Sequence, residues 1–482
     1  MLEKEMRNLV VMNEELHRAA AKEQAYFLDH ASFTRAGEIV ETSYLPKVYD
    51  AETLEHFQEI LRVSYGIVEK VIKHYIEDPE YRKIFGFPKE IEELICIPNL
   101  YDSYFPQGRF DIFYHEEDRS FGFCEINADG TGAMNRQNEL FTSMDYNAVY
   151  QELLEQYDMT YFDPLECCVC EILKLYETYE KKVENPNIAI VDFVYDGSSY
   201  AEWSEFARRF RREGHRAVVC DIRNLQYRNG HLYTPSGMQV DLILRRAVTT
   251  DIIKYFDEVQ DFIQAVKDQN VCLMGSFCTQ VVHNKMFSVA LHLPETAKIM
   301  TDEENDFIKQ HFPYTAVVSE DNYQEFLKDK DRWILKPEDS YCCGGIYTGP
   351  DVPEEMWEEI LKKCAAQQYI IQALYPYEKT TNIDVRPYPH EFKLQDGSDV
   401  KPFEEGHEEE ETAEEKKQEL FEAARPHSMQ ADDLYEGFRD HINMTGLYVF
   451  NGQFGGIFHR QAVGSAIISE VNERSMPTLF IV

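Results

Sequence analysis

The chain has 482 residues, 44% of them hydrophobic and 13% aromatic, and carries a formal net charge of −39. That is enough apolar material for a sizeable globular core, over a length that suggests roughly two to four domains. The negative balance excludes a protein built to hold a nucleic acid backbone or an anionic membrane surface, since both demand positive surface, and leaves cationic small molecules such as polyamines as compatible partners.

The opening stretch MLEKEMRNLVVMNEELHRAA alternates charged and apolar residues at helical spacing and lacks the uninterrupted apolar segment of a secretory signal. No run approaches the roughly 18 apolar residues of a membrane span. Eleven cysteines read as reduced thiols of a cytoplasmic protein. Cys167, Cys168 and Cys170 fall in an expected helix between Leu165 and Leu173, where they read as structural thiols before a metal site. Residues 1–95 are mostly helical in pattern, with Leu54, Phe57, Ile60, Leu61, Ser64, Ile67, Val68, Val71 and Ile72 at three- and four-residue spacing.

Next comes an expected β-hairpin. Residues 107–115 (QGRFDIFYH) and 121–127 (FGFCEIN) are rich in aromatic and β-branched types, and Glu116 to Ser120 between them are polar enough to turn. Closed symmetrically, the hairpin pairs His115 with Phe121, which sets Asp111 opposite Glu125 and Arg109 opposite Asn127. Phe110, Ile112, Cys124 and Ile126 then point the other way, into a core. Two opposed carboxylates destabilise a sheet unless something sits between them. Asp, Glu and an amide oxygen are hard ligands that suit Mg²⁺ and argue against Zn²⁺. The same pattern also fits a solvated hairpin whose Arg109 neutralises its acids.

Residues 138–182 are again largely helical, and Asn185-Pro186-Asn187 ends that stretch. A strand at Ile188–Val191, a helix from about Tyr200 to Glu213 and a strand at Ala217–Cys220 make a strand-helix-strand unit. Asn229-Gly230 marks a hairpin, and 241–246 is another strand. From about 278 a third region begins. Lys285 opens an apolar helix, where it is either a nucleotide ligand or an ordinary exposed lysine. The strand at 332–337 ends in Lys336-Pro337 and runs into Gly344-Gly345, a plausible phosphate clamp because lysine supplies a point charge and glycines admit backbone N–H groups. Residues 369–374 form a further strand. Residues 391–440 carry 17 acidic against 6 basic side chains and read as a solvated insertion. A hairpin around Asn451-Gly452 returns Arg460 to the core sheet, and 479–482 is a terminal strand.

In order, RFD (109–111), CEINADGT (124–131), YRNGHLY (227–233) with LILRR (242–246), HNK (283–285), WILKP (333–337), YIIQ (369–372) and GGIFHR…AIIS…PTLFIV (455–482) resemble one family. The chain from about residue 95 is similar to the synthetase part of glutathionylspermidine synthases, within the ATP-grasp ligases. The resemblance implies an α/β chain with an α+β ATP-grasp fold and an open α/β pre-ATP-grasp layer. The expected regions are an N-terminal helical part with the hairpin (1–185), the pre-ATP-grasp layer (186–277) and the nucleotide-binding part (278–482).

It further implies ATP and Mg²⁺ as cofactors, and an amide bond formed between a small-molecule or peptide carboxylate and an amine. Asp111, Glu125 and Asn127 match the family's magnesium ligands. Arg109 matches the arginine on the transferring phosphate, Lys285 and Lys336 the nucleotide lysines, Gln372 the strand position beside the adenine, and Arg460 the late arginine at the reacting centre. Two departures stand out: the charged pair of the family's flap is missing from Ser340 to Gly345, and Gly130-Thr131-Gly132-Ala133 replaces serines that help hold the peptide. There is also no room for the amidase domain some members carry. A phosphotransferase and a non-catalytic ATP-binding protein are the competing readings.

Overall fold

The computed structural model describes residues 2–31, 34–35, 38–195, 199–338, 345–385, 435–463, 468 and 472–482. Gly344, the rest of the flap from Ser340, and residues 391–434 of the acidic segment lie outside them. No helix among the described residues is long and apolar enough to cross a membrane.

The apolar spacing at 54–72 produces one long helix, Ala51–Glu77. Asp50 caps it by accepting the Thr53 N–H at 2.8 Å, and Asp78-Pro79 ends it. Phe57, Ile60, Leu61, Ile67, Val68, Val71 and Ile72 are all buried along one face. Glu69 on the same helix accepts the backbone N–H groups of Tyr104 at 2.9 Å and Phe105 at 2.8 Å, which fixes where the chain enters the hairpin.

The hairpin forms as strands Gln107–Tyr114 and Phe121–Asn127, with Arg109 opposite Asn127 and Asp111 opposite Glu125. The expected pairing of His115 with Phe121 is not what forms. Tyr114 faces Phe121, and the His115 N–H bonds to the Ser120 carbonyl in a turn that holds Arg119 at φ 59°. The register is then shifted by a bulge beyond Asp111, with Ile112 opposite Phe123 and Cys124 unpaired. Cys124 consequently leaves the core face. Phe110, Ile112, Phe123 and Ile126 pack against the Ala51–Glu77 helix, whereas Cys124 packs with Phe113 against Ile442 and Met444.

This hairpin is the edge pair of a seven-stranded sheet whose other strands come mainly from the C-terminal half. The order is Lys379–Val385, Thr42–Ser43, Glu473–Met476, Gln453–Ala462, Tyr435–Phe450, then the two hairpin strands. The N-terminal and nucleotide-binding regions expected from the sequence therefore share one sheet. Asn451 and Gly452, at φ 49° and 75°, make the tight turn between its two longest strands.

A second, parallel sheet runs Cys272–Met274, Leu242–Arg245, Asn187–Asp192, Arg216–Asp221. Its alternating residues enter two cores. Ala189, Val191 and Ile243 join the cluster around the long helix, while Ile188, Ile190, Leu242 and Leu244 pack against Trp203, Phe206 and Phe210 of the helix Tyr200–Arg212. Burial on both faces is what a parallel sheet requires. A third sheet is antiparallel, ordered Thr315–Val317, Tyr369–Ala373, Trp333–Pro337, Tyr347–Thr348, and is covered by the helix Glu354–Ala365 through Trp357.

Gly446 of the strand Tyr435–Phe450 lies directly opposite Asp111, and a Cβ there would come within 2.7 Å of both Arg109 Cδ and Asp111 Oδ1. Gly446→Ala is expected to lower stability by roughly 1–3 kcal/mol in urea denaturation, because neither neighbour can retreat. An alanine variant as stable as the wild type would contradict this packing.

Candidate active site

Arg109 and Asp111 are two residues apart on one strand and so share a face. Asp111 has no exposed surface. Its Oδ1 accepts from Arg109 Nε at 2.7 Å; its Oδ2 accepts from Arg109 Nη2 at 3.0 Å, Asn127 Nδ2 at 3.0 Å and Arg460 Nη2 at 2.6 Å. Burial works against the charge on both arginines, but Asp111, aided by Glu125 and for Arg460 also by Glu473, holds each guanidinium above its ordinary pKa.

Glu125, on the same face of the neighbouring strand, opens into a cleft of about 370 Å³. Burial pushes its carboxyl up, but Lys285, Lys336, Arg460 and Arg109 together bring it from 4.5 down to about 2. Lys336 reaches across from the antiparallel sheet, donating to Gln372 Oε1 at 2.9 Å and to the Cys124 carbonyl at 3.1 Å. The bulge that displaces Cys124 thus supplies the acceptor that orients the lysine. Gln372 also donates to Thr315 Oγ1 at 3.0 Å. Lys285 is fixed through its backbone N–H on the Glu338 carbonyl at 3.1 Å.

Arg109, Glu125, Asn127, Lys285, Lys336, Gln372 and Arg460 all line this one cleft. Asp111 lies beneath its floor, closed off by the two arginines. Gly345, at φ 72°, sits beside the cleft against Tyr369, whose hydroxyl donates to its carbonyl at 3.1 Å. Asp111, Glu125 and Asn127 do not turn three oxygens to one point: Asn127 Nδ2 donates to Glu125 Oε1 at 3.4 Å and Asp111 is taken up by the arginines, so the carboxylate of Glu125 is the hard ligand that this end of the cleft offers a divalent cation.

Of the lining residues to which the sequence assigns no role, three stand out. Arg136, from the helix Met134–Thr142, pairs with Glu473 at 3.1 Å. Phe458 is ringed by the guanidinium groups of Arg109, Arg136 and Arg460 at 4.9, 4.9 and 5.2 Å from its centroid. Phe458 was readable, because it precedes Arg460 by two on a strand and must share its face. No sequence signal marks Arg136. The third, His283, precedes Lys285 by two residues.

No protein-family model matches the chain, and no curated protein matches its sequence. Among solved structures, it is similar to a glutathione synthetase-like effector from Globodera pallida, with a TM-score of 0.57 and 9% identity over 96% of each chain. Weaker matches are a candidate gamma-glutamylcysteine synthetase from Methylobacillus flagellatus (TM-score 0.33, 9% identity, 90% of this chain and 89% of the other) and D-alanyl-alanine synthetase A from Vibrio cholerae (0.26, 11%, 57% and 89%). The first likeness is one of fold, and the expectation of an α/β ATP-grasp fold holds at that level.

Glu125 has a lower pKa folded than unfolded, so the stability it confers is full above about pH 4.5 and is lost as pH falls toward about 2. In EDTA, Glu125→Gln should therefore show a decline in urea stability below about pH 4.5 that is shallower than the wild type's by up to about 1.4 kcal/mol per pH unit. Parallel declines would show that Glu125 is not held by the four cations.

Proposed function

We propose that the protein is an ATP-dependent carboxylate–amine ligase that forms an amide through an acyl phosphate. The observation that carries this reading is the convergence of four cationic side chains, Arg109, Lys285, Lys336 and Arg460, around the single carboxylate of Glu125 in one cleft. Surplus positive charge held by fixed hydrogen bonds suits a triphosphate, and phosphoryl transfer needs positioning and electrostatics more than a side-chain nucleophile.

In this reading Lys285 and Lys336 neutralise the phosphates, and Gln372 faces the base. Arg109 and Arg460, pinned by Asp111, stabilise charge on the transferring phosphoryl group and on the tetrahedral centre formed when the amine attacks. Glu125, joined by Asn127 if its amide turns its oxygen toward the site, would hold Mg²⁺, which supplies further charge neutralisation on the phosphates, while Asp111 acts only through the two arginines. The finer reading, a glutathionylspermidine synthase-like ligase, rests on the motif order described above. Gly130 to Ala133, where that family has serines, leaves glutathione only one candidate among small carboxylates and peptides, and a polyamine one candidate among amines.

The test is hydroxamate formation from MgATP and hydroxylamine across the twenty amino acids, short peptides and glutathione. At least one carboxylate should give ATP-dependent hydroxamate with equimolar ADP, and Lys285→Met should lower that rate at least about 100-fold. ADP formation without hydroxamate would favour a phosphotransferase. Failure to bind MgATP at all would defeat every nucleotide reading.

A further inference from the structure

The cleft must also manage a proton, because an amine arrives at neutral pH as an ammonium ion without a free electron pair. The acids that line it are poorly placed to help. Asp129 lies 2.6 Å from Arg245, Glu202 2.9 Å from Arg246 and Glu473 3.1 Å from Arg136, each in an ion pair. Glu125 is held by four cations and is correspondingly a weak base.

His283 is different. It ends the short helix Gln280–His283, is half-buried, and lines the cleft between the loop carrying Asp129 to Thr131 and the nucleotide lysine Lys285. The chain that follows it is fixed, since Asn284 accepts the Met286 N–H at 2.8 Å and Lys285 bonds to Glu338. Yet Nδ1 is buried with no hydrogen-bond partner among the described residues. An unsatisfied buried nitrogen is costly, and with Nδ1 enclosed it is the remainder of the ring that faces the cleft. Asp129 is close enough for His283 to contribute, after Arg245, to holding its carboxyl below the ordinary value.

Resting on the ligase reading above, we infer that His283 is the catalytic base that takes the proton from the ammonium form of the amine before attack. The freed electron pair then forms the bond to the acyl carbon, the bond from that carbon to the phosphate oxygen breaks, and phosphate leaves with the bonding electrons and with the second proton lost by the nitrogen. Imidazole is the side chain best matched to accepting and releasing a proton near neutral pH.

Two nucleophiles of similar size separate this step from activation: hydroxylamine, largely uncharged near neutral pH, and ammonium, which must be deprotonated first. The full-length wild type, His283→Gln and His283→Ala are assayed with MgATP and the twenty amino acids plus glutathione as carboxylates. The expected result is that His283→Gln loses amide formation from ammonium at least about tenfold while hydroxamate formation changes by no more than about twofold, and that added imidazole restores part of the loss in His283→Ala. Retained hydroxamate formation also shows that the variants fold. The inference is overturned if both products fall together, if neither falls, or if the wild type uses hydroxylamine but not ammonium. A wild type that forms no hydroxamate defeats the ligase reading itself, and this inference with it.

Discussion

Asp111 accepts four hydrogen bonds from three side chains in a place that water does not reach, and the arrangement of the cleft follows from that. A carboxylate and two guanidinium groups each pay a desolvation cost on burial, and removing any one strands the others. Arg109 and Arg460 repel one another but are drawn to the same oxygen. The strand between them must bring a glycine, Gly446, to this level, and Phe458 fills the space that keeps three guanidinium groups apart. Together these features hold the guanidinium groups rigidly at the floor of the cleft.

Above that floor the charges are arranged in layers. Asp111 is consumed by the arginines, whereas Glu125 remains at the surface of the cleft under the influence of Lys285 and Lys336 from two other elements. Lys336 is oriented by a carbonyl that only the bulge at Cys124 makes available, so an irregularity of the hairpin becomes part of the adjoining sheet's function. The helix Tyr200–Arg212 and the residue before it contribute Glu202 and Ser199 to the lining. The cleft is therefore lined from the seven-stranded sheet, the antiparallel sheet and the helix Tyr200–Arg212.

Much of this was legible in the sequence, though not always for the right reason. The opposition of Asp111 to Glu125 and of Arg109 to Asn127 follows from a symmetrical turn on paper. In the structure the turn is one residue tighter and the bulge restores the register, so two displacements cancel. Alternation alone put Cys124 in the core, because period-two patterning cannot see an extra residue. The lysines and Arg460 were recognisable from strand ends and motif order. The closure of Asp111 by Arg460 was not, since it joins residues 349 positions apart through a strand that lies between them. Arg136 and the unpartnered ring of His283 were equally invisible, because solvation and hydrogen-bond satisfaction are properties of the packed molecule.

The most direct measurement is a double-mutant cycle between Asp111 and Arg460, with Asp111→Asn, Arg460→Gln and the double variant compared by urea denaturation at neutral pH. If Asp111 organises the cleft as described, the two changes should be strongly non-additive, with a coupling energy of at least about 1.5 kcal/mol. Additivity within about 0.5 kcal/mol would contradict the account.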